Sequence, residues 1–374
     1  MSGLRTADVA IVGGGIAGVG LAAALAGRCR IVLLEREAQP GSHASGRSAA
    51  VFVPNYGDGP IRALTAAGAD ALRYPDPALW PTPVLKPRGL LRLVTEAGLD
   101  GYRRQMADAV GEVVDLSPSQ AAQRFPLLRP ERFVAASWEE DVHDIDVAAL
   151  LQGWLRIARH AGIEVVTDAE VTGLARRGGI WRIGSTKGAV EAPVVVSAAG
   201  AWADRLAEAA GLPPIGLTAC RRSMAVAQLE ADMTGSAGWP FVVTFPLGWY
   251  AKPDVGRLLV SPGEEEPVEP HDAFAEDMTI AEALYRFEQD TTVTVRRVEA
   301  TWAGLRTFAP DHRPVVGFDP LAEGFFWLAG QGGFGVQTAP ALSAHAAALL
   351  LGEESPVPAL AAGLVPDRLR RWRP

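Results

Sequence analysis

The chain has 374 residues, of which 48% are hydrophobic and 21% charged, with 40 glycines and 28 prolines. That balance belongs to a globular protein large enough for two or three domains, and it excludes disordered, collagenous and coiled-coil chains. A net charge of −8 argues against nucleic-acid binding, and two cysteines, Cys29 and Cys220, exclude a disulfide framework and fit a reducing, cytoplasmic setting.

The first element is the one most easily misread. Val9 to Gly27 is a run of 19 residues without a charge, near the length of a membrane span. Six of the 19 are glycines, three of them consecutive, which would break a spanning helix. The run therefore reads as a buried strand (DVAIV, Asp8–Val12), a turn (Gly13–Gly15) and a helix (Ile16–Ala26) with Gly27 as its stop. No transmembrane segment is expected. RIVLLE, Arg30–Glu35, is a second buried strand, and the whole has the size of a βαβ unit. Asp146 is a good N-cap for a helix reaching Ala161. Strands are expected at Glu164–Val166, Trp181–Ile183 and Val194–Ser197. Alternating stretches at Met224–Gln228, Phe241–Phe245, Arg257–Val260 and Thr292–Val298 predict an antiparallel sheet. Phe325–Ala329 is a strand, followed by a glycine loop, Gly330–Gly335, and a long helix, Val336–Leu351. Nucleotide-type signals stand at both ends of the chain with sheet-like segments between. The expected fold is therefore α/β, a Rossmann-like cofactor domain (residues 1–56, 142–215 and 305–374) with an inserted mixed or antiparallel β-sheet substrate domain (residues 57–141 and 216–304).

Gly13-x-Gly15-x-x-Gly18 follows a strand and opens a helix, and Glu35 closes the next strand. Gly13 permits the tight turn, Gly15 lets the backbone approach a pyrophosphate, and Gly18 lets helix and strand pack closely. The helix N-terminus then favours the phosphates. Glu35 suits a ribose diol and repels a 2′-phosphate. The segment GSHASGRSAA, Gly41–Ala50, can run beside a flat, bulky group, where Arg47 and Ser48 can meet phosphate or ring polar atoms. GQGGFG, Gly330–Gly335, feeds a second helix N-terminus that would stabilise negative charge on a reduced flavin. A plain polar loop is the bland reading of each segment alone.

The segments IVGGGIAGVG, LEREAQPGSHASGRSAA, VVVSAAGAWAD, TWAGLRTFAPDHRPVVG and GFFWLAGQGGFGVQTAP together resemble the D-amino-acid oxidase (DAO) family of FAD-dependent oxidoreductases. LEREAQPG, RRSM, YAKPD, TWAGLR and QGGFGVQT are most similar to its bacterial D-arginine-oxidising dehydrogenases. The resemblance implies FAD contacts at Gly13, Gly15, Ala17, Gly18, Glu35, Arg36, Ser45, Gly46, Arg47, Ser48, Ala49, Val171, Gly332, Gly335 and Gln337. It implies non-covalent FAD, since Thr307, Phe308 and Ala309 follow Arg306 where several relatives carry a flavin-linking cysteine. It assigns the substrate carboxylate to Arg306 and Tyr250, a nearby place to Arg222, a lid to Tyr56 with Gly57 and Gly59 as hinges, and the substrate amine to the Gly333 carbonyl. Leu90 stands where the D-arginine enzymes hold the guanidinium with a glutamate, and Val51 and Val53 replace polar residues. The implied activity is oxidative deamination of neutral or hydrophobic D-amino acids by a dehydrogenase passing electrons to a quinone, another acceptor or O2. Rival readings are an oxidase of glycine, sarcosine or another secondary amine, an NAD-dependent dehydrogenase, and a non-catalytic FAD-binding subunit.

Other residues carry less. The six histidines, His43, His143, His160, His271, His312 and His345, have no metal-ligand spacing, and no metal is expected. Asp144 and Asp146 suit helix capping. Glu264–Glu266 reads as a solvated loop, and Arg368, Arg370, Arg371 and Arg373 as a solvated tail. A bland reading of Arg306 is an ion pair with a neighbour such as Asp311.

Overall fold

The computed structural model describes residues 4–370. It has a mixed α/β architecture. A six-stranded sheet runs in the order Glu164–Val166, Ile31–Leu34, Val9–Val12, Val194–Ser197, Phe325–Ala329, Val315–Phe318. The first five strands are parallel and the last is antiparallel. Every residue of VAIV and IVLL is buried, as a strand covered on both faces requires. Ile11 and Leu33 join one core with the helices Ile16–Ala24, Val147–His160 and Gly335–Leu351. Ala10, Val12, Val32 and Leu34 face a second core with Trp181, Val190 and Leu206.

The first helix ends at Ala24, two residues short of the sequence expectation, and Gly27 sits beyond it at φ +73°. Asp146 caps its helix by accepting the Ala149 N–H at 2.9 Å. Asp144 does not cap. It takes Arg88 at 2.6 Å and Lys252 at 3.1 Å.

A second, nine-stranded sheet carries the expected segments at Phe241–Phe245 and Arg257–Ser261 within a mostly antiparallel array. The strand expected over Thr292–Val298 is instead Val295–Phe308. Its second half, Ala300–Phe308, pairs residue by residue with Thr218–Val226, so TWAGLR is strand. Ladder pairing over a long partner overrides the weak local propensity of Gly304 there. Gly304 also leaves room for Arg47, whose Cβ would lie 3.3 Å from a Cβ at this position.

The C-terminal arginines are not a solvated tail where they are described. Arg368 pairs with Asp311 at 2.6 Å and Arg370 with the buried Asp319 at 2.5 Å. Arg371 and Arg373 lie outside the described residues. Asp311 is thereby taken, and the bland partner for Arg306 is gone. No helix among the described residues is long and apolar enough to cross a membrane.

Candidate active site

A cavity of about 500 Å³ runs between the two sheets. Its floor begins at the glycine turn. Gly13 holds φ +110°, and a Cβ on Gly18 would stand 1.9 Å from the Gly13 carbonyl oxygen. Gly18 is therefore a packing glycine outside the cavity wall, while Gly13, Gly15 and Ala17 line it. The Ser45 hydroxyl accepts the Ile16 N–H at 2.9 Å, which ties GSHASGRSAA to the helix start. Glu35, 8% exposed, accepts the Gly14 and Glu37 N–H groups at 2.6 and 2.8 Å. Each of its oxygens keeps a lone pair for a further donor.

Arg36, Ser48, Ala49, Val171, Gly332 and Gly335 also line the cavity. Three expected contacts stand differently. Gly46 is outside the wall, and its N–H closes a turn on the Gly41 carbonyl at 2.8 Å. Gln337 is 2% exposed, and its amide joins Val53 and Thr65 instead of reaching the cavity. Arg47 lines the cavity but is engaged by protein. It donates to the carbonyls of Ser42, Ala273 and Ala303 and pairs with Asp272 at 2.6 Å. It is a strut between its loop and the strand of Arg306.

Sequence reasoning missed several wall residues. His43 was screened only for metal spacing, yet it lies 2.8 Å from Glu37 and packs against Trp202 at 4.9 Å. Arg36 stacks over the same Trp202 at 4.2 Å. Trp202 sits within VVVSAAGAWAD, but nothing local singled it out. Gln331 lines the cavity with its Nε2 buried and without a protein partner among the described residues. Buried polar groups need partners, so that amide points to an occupant.

The far end of the cavity is cationic. Cys220 faces Arg306 and Arg222 faces Gly304 across one ladder. Strand alternation thus places Arg222 and Arg306 diagonally on one face, both lining the cavity, with Arg221 on the other. Arg221 pairs with Glu276 at 2.7 Å and with Glu266. The Arg306 Nη1 donates to the Tyr56 hydroxyl at 3.2 Å. Its nearest carboxylate, Glu265, is 4.0 Å away. Burial alone would push the Arg306 pKa down, but Tyr56, Tyr250 and Glu265 hold it above the ordinary arginine range. Tyr250, 4% exposed, donates its hydroxyl to the Met224 sulfur at 3.4 Å, a weak acceptor that a carboxylate readily replaces. A Cβ on Gly333 would meet the Tyr56 hydroxyl at 2.7 Å and Arg306 Nη1 at 2.8 Å, so a side chain there would push both polar ends aside. Glu264–Glu266 is a loop entering a short strand, with Glu265 and Glu266 exposed as expected, yet it is engaged by the cavity arginine. Arg222 takes the Glu264 carbonyl at 2.7 Å and the Glu265 carboxylate at 3.0 Å.

The Tyr56 segment is held rather than hinged. Asn55 is fully buried and exchanges hydrogen bonds with the Val110 backbone at 2.7 and 2.9 Å. It also donates to Glu139 at 2.9 Å. Glu139 pairs in turn with the buried Arg92, whose pKa burial pushes down. Arg62 grips the Gly57 carbonyl at 3.0 Å, and Gly59 is already helix, capped by Asp58. Leu90, Val53 and Val142 form a buried apolar cluster with Val51, Tyr56, Phe241 and Val243 against it.

The DAO family model, described as FAD dependent oxidoreductase, matches residues 8–349. The chain belongs to that family. It is an FAD-dependent oxidoreductase of the DAO fold, and its cofactor is FAD. Among solved structures it is similar to L-proline dehydrogenase from P. horikoshii, with TM-score 0.84, 21% identity and 98% of each chain covered. It is also similar to glycine oxidase from Geobacillus kaustophilus, with TM-score 0.81 and 23% identity over 94% of this chain and 96% of that one. Mouse mitochondrial sarcosine dehydrogenase is 24% identical over 64% of this chain and 28% of its own length, so this chain spans under a third of that relative. The residues present fit FAD. The glycine turn and Glu35 sit at one end of the cavity, and the unpartnered Gln331 amide and the start of the helix Gly335–Leu351 sit toward the other.

Proposed function

We propose that this flavoprotein is a D-amino-acid dehydrogenase that oxidatively deaminates neutral or hydrophobic D-amino acids to 2-oxo acids and ammonia. The observation that carries the reading is Arg306. It is a protonated guanidinium lining the cavity, with a tyrosine hydroxyl as its hydrogen-bond partner and no carboxylate closer than 4.0 Å. A partly buried arginine in that state, its side chain 17% exposed, is matched by an anionic ligand group, and its planar fork suits a carboxylate.

In this reading Arg306 and Tyr250 hold the substrate carboxylate, with the Tyr56 hydroxyl beside them, and Arg222 sets the charge of the same corner. The Gly333 carbonyl accepts from the amine. The cavity residues above would hold FAD without a covalent bond, and it would supply the acceptor for the hydride from Cα. Water then hydrolyses the imino acid. The chain's own contribution is orientation, which can supply about 7–11 kcal/mol of a barrier. Leu90, Val51 and Val53 belong to an apolar cluster packed against Tyr56, outside the residues that line the cavity itself, and a guanidinium substrate reaching past Tyr56 would be buried there unpaired. The preference for the D-enantiomer rests on the family resemblance.

The expected domain division is also part of the proposal. All six strands of the parallel sheet fall in residues 1–56, 142–215 and 305–374. The strand Val295–Phe308 crosses the last border and so carries Arg306 from the substrate sheet to the cofactor side.

A second reading, oxidation of glycine, sarcosine or another secondary amine by O2, is favoured by the names of the relatives, which include an iminodiacetate oxidase 24% identical over 93% of this chain. The test is anaerobic mixing of the FAD-loaded protein with D- and L-amino acids, glycine and sarcosine. Flavin bleaching by neutral D-amino acids, with slow reoxidation in air, is expected. Bleaching by glycine or sarcosine alone, with rapid peroxide formation, moves the assignment to the second reading. No bleaching by any panel member removes both.

A further inference from the structure

Two arginines of the cavity share one carboxylate. The three glutamates Glu264-Glu265-Glu266 take different partners. The Glu264 carboxylate accepts the Ser223 N–H at 2.6 Å, and Glu266 pairs with Arg221 on the far face. Glu265 stands beside the two cavity arginines, 3.0 Å from Arg222 Nη2 and 4.0 Å from Arg306 Nη1, with its own side chain half-exposed at the rim. Arg222 is 7% exposed at its side chain, and its Nε is taken by the Glu264 carbonyl at 2.7 Å. The second Glu264 oxygen is buried without a hydrogen-bond partner among the described residues, 3.9 Å from Arg222 Nε. Arg222 is therefore already neutralised, and Arg306 is the one guanidinium of this pair left for a ligand.

We propose that Glu265 is a specificity-determining residue. It occupies Arg222 so that the site matches one carboxylate, and its own charge turns away substrates that carry a second. This rests on the reading that Arg306 receives the substrate carboxylate. Like charges brought together in a partly desolvated corner repel strongly, and a dicarboxylic ligand would have to displace or confront Glu265. Without the Glu265 charge, Arg222 Nη2 faces the cavity unpaired and becomes a second carboxylate subsite.

The test uses the FAD-loaded protein and two inert probes, acetate and malonate, titrated while flavin absorbance is followed. The wild type should bind acetate more tightly than malonate. Glu265→Gln and Glu265→Ala should each shift the preference toward malonate by at least about tenfold, which is about 1.4 kcal/mol. Arg306→Ala should lose acetate binding. A wild type that already prefers malonate overturns the proposal without any variant. An unchanged preference in both Glu265 variants, with acetate binding lost in Arg306→Ala, removes Glu265 and keeps the clamp. Acetate binding that survives Arg306→Ala removes the clamp itself, and the proposal falls with it.

Discussion

Arg306 concentrates the chemistry of the site in one side chain. Its charge is held by two tyrosine hydroxyls and a carboxylate at 4.0 Å, none of which gives it a full ion pair. Charge-assisted hydrogen bonds to a ligand contribute about 1.5–3 kcal/mol. Arg306→Ala should therefore lower kcat/KM at least about tenfold, mostly through KM. Flavin content should stay intact, because the cofactor end of the cavity is built from other residues. Steady-state kinetics beside the flavin-to-protein absorbance ratio would check this, and an unchanged KM would remove Arg306 from substrate binding.

Two elements fix the geometry around that residue. The first is the glycine turn and its helix. A Cβ on Gly18 would collide with the Gly13 carbonyl at 1.9 Å, so Gly18→Ala must displace the turn that forms the cavity floor. The expected outcome is a purified protein depleted of flavin and destabilised by about 1–3 kcal/mol, read from the absorbance ratio and a denaturant midpoint. The second is the Tyr56 segment, fastened through Asn55 to the buried Arg92–Glu139 pair. Breaking a buried pair costs about 3–5 kcal/mol because the surviving charge is left uncompensated. Arg92→Met should show that loss, and the double variant Arg92→Met/Glu139→Leu should recover more than half of it. Equal losses in single and double variants would mean the pair does not act as a unit.

At the scale of the molecule, stability should depend on pH through buried histidines. His345 is fully buried, with Nδ1 on the Ser355 hydroxyl at 2.8 Å and Nε2 without a partner. Burial pushes its pKa down. Burial also lowers that of His143, against the opposing charge of Asp141. A depressed folded pKa means that the stability is fully present above the unfolded value of about 6.5 and is lost as pH falls through the folded value. The denaturant midpoint should therefore drop between about pH 7.5 and about pH 5.5. The drop should be smaller in His345→Gln, and an identical drop in that variant would exclude His345 as its source.

Much of this molecule is local, and that part was legible in the sequence. A strand, three glycines, a helix and a closing glutamate make a cofactor turn from neighbours along the chain, and the strands Val194–Ser197 and Phe325–Ala329 coincide with the expected ones. The DAO resemblance pointed to Arg306 for a carboxylate and to Leu90, Val51 and Val53 for a limit on substrates, and both stay within the proposed function. Tertiary structure decided the rest, because it depends on partners far away in the chain. Arg221 and Arg222 are indistinguishable in sequence, and only the register with Val295–Phe308 puts the second on the cavity face. Three consecutive glutamates read as a solvated loop until strand pairing set one of them between two arginines. Gln337 and Arg47 carry polar groups suited to a cofactor, yet the packing of Val53, Thr65 and Asp272 around them satisfied those groups first. Sequence spacing fixes which groups a short segment can present, whereas the pairing of distant strands decides which of those groups are left unsatisfied, and an unsatisfied buried group is what a ligand meets.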